Sequence, residues 1–118
     1  MPFRFRKFPV YEEAIEFHRL VIRITREFPR EFDYLKLQMR RAALSVILNI
    51  AEGSAKGSDK DFNRFLSISL GSLDETIAGS EVSLREGLIT KDTFDLLENK
   101  ALNISNQLSG FSKLLKRS

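Results

Sequence analysis

The sequence contains no cysteine and only one histidine, His18. Without cysteine the chain forms neither a disulfide nor a thiolate site, and this composition fits a reducing compartment. A zinc site or a catalytic dyad built on His18 needs cysteine or histidine partners that the chain lacks. Di-iron four-helix proteins carry Glu-x-x-His motifs on two helices, so a single histidine also excludes that class. We therefore predict no metal site and no cofactor.

Long apolar runs and catalytic motifs are absent as well. No stretch approaches the roughly 20 apolar residues that span a bilayer, and the charged N-terminus lacks the apolar segment of a signal peptide. The sequence has no P-loop, no GxSxG nucleophile motif and no HExxH zinc motif. Its adjacent carboxylates, Asp74-Glu75 and Glu12-Glu13, diverge by about 100° on a helix. We expect a cytoplasmic protein that is not an enzyme and does not contact membranes.

The composition is that of one folded domain. Of the 118 residues, 42% are apolar and 30% are charged, which is enough for one hydrophobic core but not for two. The net charge of +3 is uneven, since residues 1–41 hold ten Lys or Arg against six Asp or Glu and residues 42–118 hold nine against ten. The basic surface therefore belongs to the N-terminal third, which indicates a polyanionic partner.

Apolar periodicity predicts four helices, at about 10–28, 34–55, 59–87 and 91–116. Ser58 and Thr90 are predicted to cap the N-termini of the third and fourth helices. The core stripes of the first and fourth helices have heptad spacing. They consist of Val10, Ala14, Phe17, Val21, Ile24 and Phe28 and of Phe94, Leu97, Ala101, Ile104, Leu108, Phe111 and Leu115. Short links predict an all-α, up-down-up-down antiparallel four-helix bundle, a single domain of residues 1–118.

The second helix has two apolar faces, whereas the surface helix of a small monomer needs one. One face consists of Leu35, Met39, Ala42, Ala43, Val46 and Ile50. The other consists of Leu37, Leu44, Ile47, Leu48 and Ala51, interrupted by Arg40. We expect the second face to be covered by a neighbouring helix or by another subunit.

The third helix has a strip of mostly small residues beside its core positions. The strip consists of Phe65, Ser69, Ser72, Thr76, Gly79 and Ser83, and the core positions are Phe62, Leu66, Leu70, Leu73, Ile77 and Leu84. Small side chains let another helix approach closely. Gly71 and Gly79 each cost the helix up to about 1 kcal/mol relative to Ala, so we predict that packing requires both.

Two basic segments precede the second helix. Residues 1–9 alternate aromatic and basic side chains, which predicts an extended arm. The arm either clamps nucleic acid through stacking and phosphate contacts or packs its phenylalanines on the bundle. A row of arginines, Arg19, Arg23, Arg26 and Arg30, lies opposite the core stripe of the first helix. It either complements the helix dipole or binds phosphate.

A narrow polar strip separates the two apolar faces of the second helix. It includes Gln38, Arg41, Ser45, Asn49 and Glu52, which lie within i+3 or i+4 reach of one another and predict a hydrogen-bonded ladder. The ladder is either a seam that fixes the register against a neighbouring helix or subunit, or a contact for a ligand or nucleic acid. It offers no activated nucleophile, which argues against a hydrolytic site at Asn49 and Glu52.

Several segments resemble the bacterial four helix bundle protein family, some members of which are encoded inside intervening sequences of 23S rRNA genes. They are Phe28-Pro29, Gln38-x-Arg40-Arg41-Ala42-Ala43-x-Ser45-Val46, Asn49-Ile50-Ala51-Glu52-Gly53, Phe62-x-x-Phe65-Leu66 and Gly71-Ser72-Leu73-x-Glu75. The resemblance covers nearly the whole chain. The chain departs from the family at Leu48, where members carry a small residue or proline, and at residues 76–83, which are smaller and more polar.

The resemblance implies a four-helix bundle that assembles as a ring-shaped homopentamer, which would explain the two apolar faces of the second helix. The family is related to the accessory variability determinant of diversity-generating retroelements, which binds a reverse transcriptase and nucleic acid through basic surfaces. We therefore predict a non-enzymatic oligomeric scaffold that binds RNA, such as rRNA, or a nucleic-acid enzyme. The predicted contacts are Arg4, Arg6, Lys7, Arg19, Arg23, Arg26, Arg40 and Arg41. The alternative is a protein-partner adaptor with no nucleic-acid role.

Overall fold

Four α-helices account for most of the chain. The computed structural model describes residues 2–117 and contains α1 (Pro9–Thr25), α2 (Asp33–Ser54), α3 (Asp59–Arg85) and α4 (Lys91–Lys116). Two short 3₁₀-helices, Arg4–Lys7 and Arg30–Phe32, precede α1 and α2. No strand occurs among the described residues, so the all-α prediction with four helices is confirmed. The molecule measures 46 × 21 × 20 Å.

The helix ends follow from local sequence. The Ser58 hydroxyl accepts a hydrogen bond from the amide of Asp61 at 3.1 Å, and the Thr90 hydroxyl accepts one from Thr93 at 3.1 Å. Both residues are N-caps, as predicted. At the end of α3, Gly87 has a φ of +74° and its amide donates to the Leu84 carbonyl. The next amide reaches back to the Ser83 carbonyl at 2.9 Å, which completes a Schellman motif and stops the helix.

Two N-terminal predictions were wrong in detail. The segment before α1 is not extended, because Arg4–Lys7 form a 3₁₀-helix whose flanking Phe8 ring stacks on Phe62. The tail thus packs aromatic side chains on the helices, as one of the two interpretations proposed. Helix α1 ends at Thr25 rather than near Phe28, since the amide of Phe28 bonds to the Thr25 carbonyl in a turn.

In α1, α2 and α4 the core lies along the stripes that the apolar spacing predicted. In α3 three of the six predicted core positions, Leu70, Ile77 and Leu84, are only half-buried, whereas most of the small-residue strip beside them is buried. All six positions of the first apolar face of α2 are buried, as are five of the seven heptad positions of α4, while Phe111 and Leu115 pack partly buried against the same core. Helix α1 contributes Leu20 and Thr25 in addition to its predicted stripe, and Ile24 is only half-buried.

The small residues of α3 face α2, and their hydroxyls are satisfied within the protein. Ser69 donates to the Val46 carbonyl at 3.0 Å and Ser72 donates to the Ser45 hydroxyl at 2.8 Å. Further along α3, Thr76 donates to the carbonyl four residues earlier in its own helix, at 2.8 Å. The strip therefore lets α2 approach closely without leaving buried polar groups unpaired.

The two glycines of α3 differ in their surroundings. A Cβ atom built on Gly79 lies 2.7 Å from Cγ of Met39, which is fully buried. A Cβ atom on Gly71 meets no atom within 4 Å. The prediction that packing requires both glycines is therefore right for Gly79 and wrong for Gly71, which lies on the exposed side of the helix.

Candidate nucleic-acid interface

Three arginines form an exposed row along α1 and its C-cap residue, Arg26. Arg19, Arg23 and Arg26 are spaced four and three residues apart, so they share one face of the helix, and all three are exposed. The predicted fourth member, Arg30, is exposed on the short 3₁₀-helix beyond the end of α1. The face predicted to lie opposite the core thus carries uncovered positive charge.

Some basic residues outside α1 form ion pairs, whereas others on α2, α3 and α4 are exposed and, in the described part of the chain, form none, namely Arg41, Lys60, Lys100, Lys113 and Lys116. Five ion pairs join a cation to a carboxylate three or four residues away in the chain. They are Lys36–Asp33, Lys56–Glu52, Arg64–Asp61, Arg85–Glu81 and Lys91–Asp95, at 2.6 to 3.9 Å. Among the described residues, no ion pair includes an arginine of the α1 row. The α1 row is therefore a cluster of unpaired positive charge on one helix face, which suits a polyanion.

Arg40 lies at the junction of α1 and α2. Its Nε donates to Oγ1 of the buried Thr25 at 2.9 Å, and its Nη2 donates to the Ile22 carbonyl at 3.1 Å. The amide of Arg26 bonds to the Arg23 carbonyl instead of that of Ile22, so Arg40 satisfies one of the last carbonyls of α1. Its neighbour Arg41 is exposed.

The Arg40 charge affects the one histidine. His18 is half-buried on α1. Burial and the nearby Arg40 guanidinium both lower the pKa of His18 below its usual value of 6.5, because each disfavours the charged imidazolium. Neither residue was predicted to have this role, because the contact depends on how two helices pack.

The basic residues of the N-terminal 3₁₀-helix make intramolecular contacts. The Nε of Arg4 donates to the Ser54 carbonyl at the end of α2, at 2.7 Å, and its guanidinium lies 5.4 Å from the centre of the Phe62 ring. The Arg6 guanidinium lies 5.1 Å from the ring of Phe3, and Lys7 is exposed. Arg4 and Arg40 thus perform the same task, since each binds a carbonyl at the C-terminus of a helix.

The polar strip of α2 forms only part of the predicted ladder. Asn49 donates to the carbonyl of Ser45 at 2.8 Å and to its hydroxyl at 3.0 Å, and Ser72 of α3 donates to that same hydroxyl. Gln38 donates to the Glu75 carboxylate on α3. Glu52 pairs with Lys56 rather than with Asn49. The structure therefore places the strip against α3, where Gln38 and Ser45 link the two helices.

The second apolar face of α2 is largely uncovered. Leu37, Leu44 and Leu48 are exposed, whereas Ile47 is buried beside α1 and Ala51 is half-buried. Tyr34, which the sequence analysis did not include, is also exposed and extends the apolar stripe. We call Tyr34, Leu37, Leu44 and Leu48 the α2 stripe. Arg41 lies within the stripe, because it is four residues after Leu37 and three residues before Leu44 and therefore on the same face of the helix.

Comparison with known proteins identifies the family. The family model of the 23S rRNA-intervening sequence protein matches residues 6–110, a span that includes α1, α2, α3 and most of α4. The chain belongs to this family. It is also similar to a crystal structure of a protein of unknown function from the S23 ribosomal protein family of Bacteroides thetaiotaomicron, with a TM-score of 0.81 and 24% identity over 88% of this chain and 95% of that chain.

This structural likeness supports the four-helix fold and leaves the family's activity open. A comparison with curated proteins found no match. None of the helices in the described part of the chain is long and apolar enough to cross a membrane.

Proposed function

We propose that this protein is a non-enzymatic, cytoplasmic scaffold. Its partner is either RNA or an enzyme that acts on nucleic acid, such as a reverse transcriptase. The observation that carries the proposal is the row of Arg19, Arg23 and Arg26, three exposed guanidinium groups that share one helix face and belong to no ion pair among the described residues. Arginine forks suit the phosphate oxygens of a nucleic-acid backbone. The family's name refers to 23S rRNA, so a structured rRNA fragment is the first RNA to test.

We further propose that the helices form an up-down-up-down antiparallel bundle and that five copies form a ring. The α2 stripe supports this assembly, because exposed apolar side chains along a helix of about 33 Å form a surface that a second copy can cover. A head-to-tail interface of this kind closes into a ring when its rotation allows it. Each ring would then present five arginine rows.

The test neutralises the α1 row and compares it with an equal change of charge elsewhere. We expect the triple variant Arg19→Gln, Arg23→Gln, Arg26→Gln to lose RNA affinity at low salt. If each arginine contacts one phosphate, the slope of log K against log salt falls by about 3. Fluorescence anisotropy with a labelled rRNA fragment measures both quantities.

The matched control is Arg64→Gln, Arg85→Gln, Lys91→Gln, which removes the same charge from paired positions. Equal losses in the two triple variants would show that net charge alone binds RNA, and would remove the α1 row as a site. If the wild-type ring is indifferent to RNA at every salt concentration, the protein is a protein-partner adaptor instead. The adaptor surface would then be the apolar flank of α1 that includes Ile15 and Ile22, both half-buried, and loss of partner binding in Ile15→Asp or Ile22→Asp would locate it.

A further inference from the structure

A cavity of about 650 Å³ lies between the N-terminal segment and the turn that joins α2 to α3. Residues 2–5 form one side, and Ala51 with residues 54–59 forms the other. The bond from Arg4 to the Ser54 carbonyl fixes the first side against the second. The volume of the cavity lies within the range of small-ligand sites.

Phe3 presents an aromatic ring at this cavity. Its side chain is 62% exposed, although burying a phenylalanine normally stabilises a protein. It has a φ of +60° and is the one described residue other than glycine with a positive φ. That conformation is uncommon for a bulky residue, and such outliers concentrate at binding sites. The ring meets Phe5 edge-on at 6.2 Å, so one side of the cavity is aromatic. The Arg6 guanidinium lies over one face of the Phe3 ring, 5.1 Å from its centre, which leaves the other face for a base.

The opposite side of the cavity is polar and carries a cation. It contains Lys56 and Gly57 before the first turn of α3, whose hydrogen-bonded N-cap is Ser58. Arg4 and Lys56 supply two positive charges to the lining, and Asp59 supplies one negative charge. The Lys56 ammonium also lies 3.9 Å from the Glu52 carboxylate and 5.0 Å from the centre of the Phe65 ring, so a phosphate competes with that carboxylate for it. An aromatic wall that faces a cation matches the two parts of a nucleotide, namely a flat base and a phosphate.

We propose that this cavity binds one unpaired nucleotide of an RNA strand, with the base against Phe3 and the phosphate toward Lys56. The proposal rests on the RNA-binding function proposed above and adds to it a preference for single-stranded over duplex RNA. A base in a duplex is stacked and paired, so it does not enter the cavity. The α1 row contacts the backbone of either form of RNA, whereas the cavity selects single-stranded segments.

The experiment measures calorimetric affinity for three probes: a short oligouridine, a blunt RNA duplex with the same number of phosphates, and uridine 5′-monophosphate. We expect Phe3→Ala to weaken oligouridine binding at least about fivefold, the lower end of the effect of losing one stacked base. Duplex binding should not change. The control Leu114→Ala removes an equally exposed apolar side chain, 62% exposed, near the C-terminus of α4 and outside the cavity lining, and should change neither.

A second pair of variants tests the polar side. Gly57→Glu places a carboxylate in the lining, and Gly71→Glu places one on the exposed side of α3. An added Cβ atom meets nothing within 4 Å at either glycine, so both variants should fold. We expect only Gly57→Glu to weaken oligouridine binding.

The outcomes separate the cavity from the arginine row. If both RNAs bind but Phe3→Ala and Gly57→Glu bind oligouridine as the wild type does, the cavity is not a nucleotide site, while the proposed function stands. If uridine 5′-monophosphate binds in a Phe3-dependent way but oligouridine does not, the ligand is a free nucleotide and the RNA-strand proposal is wrong. Loss of oligouridine binding in both cavity variants, with unchanged duplex binding, supports the proposal.

Discussion

At the scale of single residues, the same amino acid has different tasks at neighbouring positions. Arg40 binds the Ile22 carbonyl and the Thr25 hydroxyl, whereas Arg41 is exposed within the α2 stripe. Gly79 makes room for Met39, whereas Gly71 faces open space. Neither difference can be read from residue type, so paired substitutions at these positions are informative.

The glycine pair predicts opposite changes in stability. Gly71→Ala should raise the free energy of unfolding by up to about 1 kcal/mol, because alanine loses less conformational entropy in a helix. Gly79→Ala should lower it by about 1–3 kcal/mol, because the new methyl group overpacks the core against Met39. Urea unfolding of both variants at one protein concentration measures the difference. A stabilised Gly79→Ala protein would contradict the close approach of α2 and α3.

The His18 environment predicts a pH dependence of stability. Because the folded pKa lies below the unfolded value of 6.5, the unfolded state binds more protons as the pH falls through that range. This contribution to stability is therefore complete above about pH 6.5 and is lost as the pH falls toward the folded pKa. Urea unfolding at about pH 7.5 and about pH 5.5 should show a smaller loss in His18→Gln than in the wild type.

NMR titration of the single imidazole tests the physical cause. Arg40→Met should raise the pKa of His18, because it removes a nearby positive charge. Arg41→Met changes the adjacent, exposed arginine and should leave the His18 pKa where it is in the wild type. Equal pKa values in all three proteins would mean that burial alone lowers the pKa.

At the scale of elements, α2 is the helix that contacts the most other elements. It contacts α1 through Arg40, α3 through Ser45 and the small residues of the third helix, and the N-terminal segment through the Ser54 carbonyl. Its remaining side is the α2 stripe, which no other described residue covers. A helix with this much exposed apolar surface favours self-association.

A charged residue in the α2 stripe should break that association. Leu48→Asp and Leu102→Asp introduce the same side chain at positions that are each 54% exposed, on α2 and α4 respectively. We expect Leu48→Asp to sediment as a monomer, because a carboxylate buried in an apolar interface is costly. Leu102→Asp should keep the wild-type mass. A monomeric wild type in light scattering would refute the proposed ring directly.

At the scale of the whole molecule, the proposed ring would couple assembly to the proposed RNA binding. A single chain carries a net charge of only +3 and one arginine row, which is modest for a nucleic-acid binder. In the proposed ring, five rows engage one RNA together, and the later contacts form at high effective concentration. In such a ring, the small net charge of each chain is sufficient for RNA binding.

This coupling predicts that disrupting the ring weakens RNA binding although every arginine is retained. Leu48→Asp should bind the rRNA fragment at least about tenfold more weakly than the wild type. The reason is that linking several binding sites in one particle usually raises the overall affinity by about one hundredfold or more over that of a single site. Leu102→Asp carries the same change in charge and should bind as the wild type does. Anisotropy titrations at low salt measure both variants. Equal affinity of Leu48→Asp monomers and wild-type rings would show that one row suffices.

The sequence by itself determined the four helices, the N-caps of α3 and α4, and most of the buried positions of α1, α2 and α4. The reason is local, because heptad spacing selects the apolar face and residues such as Ser58, Gly87 and Thr90 satisfy the helix ends through bonds to neighbours in the chain. The exposure of the α1 row was predictable for the same reason.

Only the tertiary structure decided which polar residues are available. Arg4 and Arg40 looked equivalent to the exposed arginines in sequence, but each binds a helix-end carbonyl that lies 50 and 18 residues away along the chain. The cavity beside Phe3 likewise joins segments about fifty residues apart. Such partners are brought together by helix packing, and no periodicity in the sequence encodes a contact between two particular side chains on different helices.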